Sequence, residues 1–186
     1  MKNKWQENIN TFIELSTKHQ VKMIMVGGGA VNFYGYQRHS ADVDFWIDTT
    51  TDNLNKLIAV FKEMNYEIED FPEAVKRQEQ NISIKFSPVD LNLELITRFS
   101  INKAFEEAYA DSEKVEINGE KLLRWNVLSF NDLITSKIKA GRPKDLLDIQ
   151  QLKQLNKWIK QKSCSHSLPQ GYALWNAYRS VAYNMN

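Results

Sequence analysis

The chain has a single cysteine, Cys164, among its 186 residues, and it has no long apolar run. One cysteine excludes an intramolecular disulfide and a cysteine-rich zinc site. No apolar segment approaches the length of a membrane-spanning helix, and the first residues, Met-Lys-Asn-Lys-Trp-Gln-Glu, are too polar for a signal peptide. We therefore expect a cytoplasmic protein without a membrane partner.

The chain also has no excess of either charge, because its 24 lysines and arginines nearly balance its 23 aspartates and glutamates, for a formal net charge of +1. This balance gives no overall field that would attract nucleic acid, so any nucleic-acid contact would have to be local. Apolar residues make up 42% of the chain, which is enough to bury one core. We expect one domain at residues 1–162 and an aromatic-rich tail at residues 163–186 that packs on a surface or on a second subunit.

Hydrophobic periodicity predicts a mixture of helices and strands in the first half of the chain. The chain should begin with a helix over residues 5–19, a buried strand at residues 21–26, a glycine turn and a second helix. Thr51 is the expected N-cap of the next helix. Alternating apolar and polar residues then predict strands at residues 81–86 and 89–97.

Turn and capping signals organise the second half of the chain. We expect a short helix over about residues 103–110, a hairpin closed by Asn118-Gly119, and a helix opened by the Ser129-x-x-Asp132 capping box. A last amphipathic helix should start at Pro143. Its apolar residues recur at helical spacing, and they are Leu146, Leu147, Ile149, Leu152, Leu155, Trp158 and Ile159.

Glycines and acidic residues meet in the segment from Val26 to Ile47. Three consecutive glycines follow an apolar strand, and Asp42 and Asp44 lie on a second apolar strand. Because side chains alternate along a strand, both aspartates project from the same face. Two like charges held this close need a cation between them. The segment therefore predicts a site for metal-bound nucleotide phosphates, whereas a dinucleotide fingerprint fails because Asn32 replaces its third glycine.

The order of a glycine turn, a short helix and Asp-x-Asp resembles the nucleotidyltransferase superfamily, which shares its fold with DNA polymerase β. Within it, the chain is similar to a small bacterial group related to abortive-infection nucleotidyltransferase toxins. That similarity rests on four further segments, Phe105–Tyr109, Val115–Gly119, Leu128–Leu133 and Lys137–Asp148. The resemblance covers roughly residues 20–155 and implies an α+β minimal nucleotidyltransferase fold, a mixed sheet flanked by helices with a C-terminal helical extension.

The resemblance implies transfer of a nucleoside monophosphate from an NTP to a hydroxyl, with Mg²⁺ or Mn²⁺ as cofactor. Asp42 and Asp44 would bind the metal together with a third carboxylate. The match of Leu93–Thr97 to the family's strand favours Glu94 for that place, and Asp90 is the alternative. Glu94 would also serve as a general base, although the group more often has an aspartate there.

Other residues are implied to bind the triphosphate, since glycine backbone lets phosphates approach closely and basic or hydroxyl side chains contact them. They are Gly27, Gly28, Gly29, Arg38, Ser40, Lys137 and Lys144. Lys137 and Lys144 equally fit a salt bridge between two helices, and for Asp145 and Asp148 we favour that structural role. His39 is expected on an exposed loop, and Trp46 and Phe33 are expected in the core.

The acceptor and the partners are open at this stage. The resemblance implies tRNA, a protein or a small molecule as acceptor, and it further implies a toxin of a toxin–antitoxin pair with an antitoxin partner. A homodimer through the C-terminal tail is a further expectation. The rival interpretation is a catalytically degenerate module that binds nucleotide or a partner.

Overall fold

The structure, a computed structural model, describes residues 4–40, 42–86, 92–118 and 122–163. Within these ranges the chain forms helices and strands in an α+β order, as predicted. The helices are α1 Lys4–Lys18, α2 Gly27–Phe33, α3 Thr51–Glu63, α4 Glu73–Lys76, α5 Phe105–Ala110, α6 Phe130–Ala140 and α7 Pro143–Ser163. The strands are β1 Met23–Met25, β2 Asp42–Ile47, β3 Ile82–Lys85, β4 Asn92–Ile96, β5 Glu113–Asn118 and β6 Leu122–Val127.

All six strands belong to one mixed sheet, in the order β3-β4-β2-β1-β6-β5. The β2–β4 and β1–β6 pairs are parallel, and the β1–β2, β3–β4 and β5–β6 pairs are antiparallel. The mixed sheet with flanking helices confirms the predicted fold class. The predicted hairpin is the β5–β6 pair, while its turn at residues 119–121 lies outside the described residues.

One face of the sheet packs against α1 and α3. The side chains of Val43, Phe45, Leu93 and Leu95 alternate onto this face and are buried. Phe12 of α1 lies against Phe45 and against Phe61 of α3, with ring centroids 6.0 and 5.9 Å apart. The alternate residues of β2 and β4 are therefore left on the opposite face, where the acidic residues lie.

The opposite face is partly covered by aromatic side chains. Trp46 is buried there against Phe99 and Phe105, with ring centroids 5.5 and 5.1 Å apart. Phe33 of α2 is also buried, so both aromatic residues belong to the core, as predicted. The covered area ends at Trp46, and the positions before it on β2 carry Asp44 and Asp42.

The last helix, α7, begins at Pro143 as predicted, and of the two predicted capping residues one agrees with the structure and one differs. Ser129 caps α6 because its side chain accepts a hydrogen bond from the Asp132 backbone N–H, which confirms it as the N-cap, and its hydroxyl donates to the Asp132 carboxylate. The prediction of Thr51 as the N-cap of α3 is wrong, since Thr50 has extended backbone and is the N-cap. Asp48 accepts from the N–H and the hydroxyl of Thr50, and this fixes the turn one residue earlier.

The buried side of α7 also differs from the expectation. Leu146 and Leu147 are 59% and 47% exposed, whereas Asp145, Asp148 and Leu152 are buried. The buried residues follow spacings of three and four, so they form one face of the helix. Near its start this helix therefore buries carboxylates rather than leucines. Of the expected tail at residues 163–186, Ser163 is the last residue of α7, and residues 164–186 lie outside the described residues.

Candidate active site

The acidic residues lie on two neighbouring parallel strands. In the β2–β4 register Asp42 is opposite Asn92, and Asp44 is opposite Glu94. Directly opposed residues share a face, and neighbouring strands are about 4.8 Å apart. Asn92 Nδ2 also donates a hydrogen bond to Asp42 Oδ1 at 2.9 Å, which holds that carboxylate in place. The structure thus brings Asp42, Asp44 and Glu94 onto one face of the sheet.

The carboxyl group of Asp44 is in an environment that disfavours its charge. Burial raises the pKa of Asp44 above its ordinary value, and the negative charges of Asp42 and Glu94 raise it further. A hydrogen bond from the Gly28 backbone and the positive charge of Lys137 act in the opposite direction without cancelling the effect. A cation at this carboxylate would relieve both the burial and the repulsion.

The glycine turn packs directly against Asp44. Gly27 has a positive φ of 60°, and a Cβ atom added there would collide with the Asp44 carboxylate. A Cβ atom at Gly28 would lie 2.6 Å from Ser40 Oγ. Both positions therefore require glycine, because backbone and polar side chains approach each other without an intervening side chain. The helix α2 begins at Gly27 itself, one residue after its N-cap Val26.

The loop after α2 returns towards the same turn. The Asn32 side chain binds the Arg38 backbone twice, accepting from its N–H at 2.9 Å and donating to its carbonyl at 3.1 Å. This places Arg38 Nη2 3.3 Å from the position that a Gly28 Cβ would occupy. Ser40 Oγ donates to the Asp42 carbonyl at 2.9 Å. Arg38 Nε is buried and has no hydrogen-bond partner among the described residues.

A buried ion network joins this loop to α6 and α7. Asp148 accepts from Arg38 Nη1 at 2.9 Å and lies 2.9 Å from Lys137 Nζ. Asp145 lies 3.0 Å from Lys137 Nζ and 2.6 Å from Arg142 Nε. Lys137 is only 4% exposed. The salt-bridge interpretation of Asp145 and Asp148 is confirmed, and three cations share two carboxylates, so the network keeps one positive charge.

The carboxyl group of Asp145 is in surroundings that favour its negative charge, in contrast to that of Asp44. Burial opposes the charge of Asp145, but hydrogen bonds from Arg142 and Lys137 outweigh it and lower its pKa to about 2. Lys137 therefore stabilises the negative charge of Asp145 on α7, and its positive charge also acts to lower the pKa of Asp44. This links the acidic strands to the basic side of the site.

The remaining predicted residues are placed less centrally. Lys144 is exposed and makes no ion pair with another residue in the described ranges. A Cβ atom at Gly29 would meet the Met25 side chain at 2.9 Å, so this glycine contacts the core. His39 is exposed, and Asp90 lies outside the described residues. The ion pair of Arg142 and the hydrogen bond of Asn92 were not predicted from the sequence, although alternation along β4 puts Asn92 on the same face as Glu94.

The oxygen donors of this site bear on whether it could bind a metal ion. No group of three histidine, cysteine, aspartate or glutamate side chains in the described ranges is arranged to hold a metal ion. Mg²⁺, however, usually binds through one or two carboxylates plus substrate phosphates rather than through an all-protein cage. Asp42, Asp44 and Glu94 supply oxygen donors of that kind beside a glycine turn. The donor set therefore fits a metal that arrives with a nucleotide.

These elements define the class of protein: an α+β fold compatible with a minimal nucleotidyltransferase, with acidic strands beside a glycine turn. The chain belongs to the family described as nucleotidyltransferase of unknown function (DUF6036), whose model matches residues 6–160. This confirms the superfamily expected from the sequence. A search of curated proteins gave no match. No helix among the described residues is long and apolar enough to cross a membrane.

Proposed function

We propose that this protein transfers a nucleoside monophosphate from an NTP to a hydroxyl acceptor in a metal-dependent reaction. The observation that carries the proposal is the register of β2 and β4, which places Glu94 opposite Asp44 and diagonally across from Asp42. The attacking hydroxyl oxygen bonds to the α-phosphorus while the bond to the β-phosphate breaks, and pyrophosphate leaves. When bound, Mg²⁺ or Mn²⁺ would neutralise charge on the attacking and leaving oxygens.

The residues divide between the two sides of that reaction. Asp42, Asp44 and Glu94 would hold the metal, and Glu94 would take the proton of the acceptor hydroxyl. Gly27 and Gly28 allow the triphosphate to approach their backbone. Glu94 lies on the strand next to that of Asp44, and the glycine turn packs against Asp44, so these groups can form one site.

The basic network supports binding of the triphosphate. Arg38 Nε has no hydrogen-bond partner among the described residues, and the Arg38–Lys137–Arg142 network keeps a positive charge, so both favour an anion at the glycine turn. Ser40 would add a hydroxyl contact. The exposed side chain of Lys144 would contact phosphate only at the rim. Gly29, which faces Met25, would contribute through its backbone alone.

The test is a labelling experiment with labelled NTPs, Mg²⁺ and cell extract. We expect the protein to label an RNA, a protein or a small molecule, and Asp42→Asn and Glu94→Gln to reduce the label by at least about 10²-fold. Asp52→Asn, on the exposed start of α3, is the matched control and should keep full activity. If Asp90→Asn rather than Glu94→Gln removes the label, the third carboxylate is Asp90.

A degenerate binding module is the second candidate. The absence of a preformed three-residue metal group among the described residues favours it. Calorimetry separates the two: nucleotide binding that depends on Asp44, without any labelling, would support the binding module. A toxin role and an antitoxin partner rest on the resemblance, and the same labelling in cells with and without an adjacent antitoxin gene would test them. A homodimer through the tail rests on the composition of the tail.

A further inference from the structure

The acidic face of the sheet continues beyond β4 onto the edge strand β3. Antiparallel pairing places Lys85 opposite Asn92 and Ser83 opposite Glu94. Combined with the β2–β4 register, this pairing aligns the residues of three neighbouring strands in two rows across the sheet. The rows are Asp42-Asn92-Lys85 and Asp44-Glu94-Ser83. Because opposed residues share a face, Ser83 and Lys85 lie on the same face as the three carboxylates.

Both residues on β3 are open to solvent. Ser83 and Lys85 are exposed, whereas Ile82 and Ile84, which alternate with them, pack against the core. Strand β3 is the edge of the sheet. Within the described ranges, Lys85 makes no ion pair and no side-chain hydrogen bond. Its cation is therefore available to a ligand that approaches the acidic rows from the β3 side.

The proposed reaction fixes the side from which its acceptor comes. The glycine turn follows β1, so the proposed triphosphate site lies on the β1 side of β2. In an in-line displacement the attacking and leaving oxygens are on opposite sides of the phosphorus. Pyrophosphate leaves on the β1 side, and the acceptor hydroxyl must then approach over β4 and β3.

We propose that Ser83 and Lys85 form the acceptor side of the site and select an acceptor that carries a phosphate beside its reacting hydroxyl. This inference rests on the proposed function. Lys85 lies two strands from Asp42, about 10 Å across the sheet, which leaves room for a hydroxyl over Glu94 and a phosphate at the lysine. Ser83, opposite Glu94, donates a hydrogen bond to the same acceptor. An edge lysine also discourages pairing between sheets, but that role would not depend on phosphate.

The experiment measures binding to protein loaded with Mg²⁺ and a non-hydrolysable NTP analogue. The probes are a nucleoside 5′-monophosphate, the matching nucleoside without phosphate, and a short RNA that ends in the same nucleotide. We expect the phosphate-bearing probes to bind at least about tenfold more tightly than the nucleoside. Lys85→Gln should reduce this preference to within about twofold, and Lys62→Gln, exposed on α3, should leave it unchanged. The RNA arm separates a polymer acceptor from a free nucleotide.

Two outcomes overturn the proposal. Equal binding of phosphate-bearing and phosphate-free probes to the loaded protein would contradict it, as would a preference that survives in Lys85→Gln. The loading step is measured separately. Failure of the analogue to bind in an Asp44-dependent way would contradict the proposed function itself, and the acceptor proposal would fall with it.

Discussion

Asp44 combines three conditions that a carboxylate in a stable protein usually avoids. It is partly buried, it lies beside Asp42 and Glu94, and its nearest backbone neighbour is a glycine turn with no room for a side chain. Each condition is costly for folding, whereas together they suit a bound cation. The stability of variants at Asp44 therefore measures how much stability the proposed site costs.

Asp44→Asn should stabilise the protein at neutral pH without metal. The folded-state pKa of Asp44 lies above its ordinary value of 3.8, so ionisation destabilises the folded state as pH rises through the interval between the two values. Each kcal/mol gained would raise the Tm by about 2–4 °C. The difference from the native protein should shrink below pH 3.8, where the carboxyl group is protonated in both states.

The measurement is thermal unfolding between pH 3 and pH 8 in a chelating buffer, with Asp52→Asn as the control. Asp52 is on the exposed start of α3 and should show little change in Tm. A lower Tm for Asp44→Asn at neutral pH would contradict the prediction. It would mean that the hydrogen bond from Gly28 contributes more than the repulsion from Asp42 and Glu94.

At the scale of elements, α6 and α7 share a buried network of charged side chains. Lys137 contacts both Asp145 and Asp148, and all three are at most 4% exposed. Buried ion pairs of this kind add little net stability, but loss of one partner leaves an uncompensated charge in a dry site. The junction is therefore sensitive to single substitutions of these charged residues.

Asp145→Asn should lower the free energy of unfolding at pH 7 by about 3–5 kcal/mol. The pKa of Asp145 is lowered to about 2, so its stabilising effect is present above the ordinary value of 3.8 and is lost as pH falls through about 2. The native protein and the variant should therefore converge in stability towards pH 2. Urea unfolding at several pH values measures this.

The neighbouring Lys144→Gln serves as the control, because Lys144 is exposed and should change the unfolding free energy by less than about 0.5 kcal/mol. An Asp145→Asn variant as stable as the native protein at pH 7 would show that water replaces the lost charge at Lys137. In that case the network would not hold the two helices together.

The elements also show what a sequence can and cannot predict. Local signals were sufficient for the glycine turn, the alternation of Asp42 and Asp44, and the cap at Ser129, because each depends on residues within one turn or one strand. The register of Asp44 with Glu94 joins positions far apart in sequence, and only the paired strands define it. The prediction that Leu146 and Leu147 lie on the apolar face of α7 was wrong, because helical spacing alone does not determine which face of a helix packs against the rest of the protein.

At the scale of the whole molecule, the proposed site draws on strands and helices from both halves of the chain. Residues of β2, β4, α2, α6 and α7 contribute to it, and the ion network connects Arg38 with Asp148 across 110 positions of sequence. A ligand held by all of these elements binds the folded state and has no equivalent site on the unfolded chain. Such a ligand must stabilise the molecule as a unit.

Mg²⁺ with NTP should raise the Tm. At a nucleotide concentration about 100 times the dissociation constant, the gain is about 2.7 kcal/mol, which corresponds to a rise of about 5–11 °C. Thermal shift assays measure it, with Asp44→Ala as the variant that should lose the rise. The nucleoside without phosphates is the control ligand. A rise of equal size with the nucleoside, or in Asp44→Ala, would place the ligand elsewhere.

The parallel pairing of β1 with β6 has a consequence for how the chain is made. Residues 24 and 25 of β1 pair with residues 126 and 127, so one side of this inner strand has no partner until most of the polypeptide has been synthesised. An unpaired apolar edge invites association with other chains. A nascent or truncated chain that stops before β6 is thus exposed to aggregation, and expression of shortened versions should yield insoluble protein although α1 to β4 are intact.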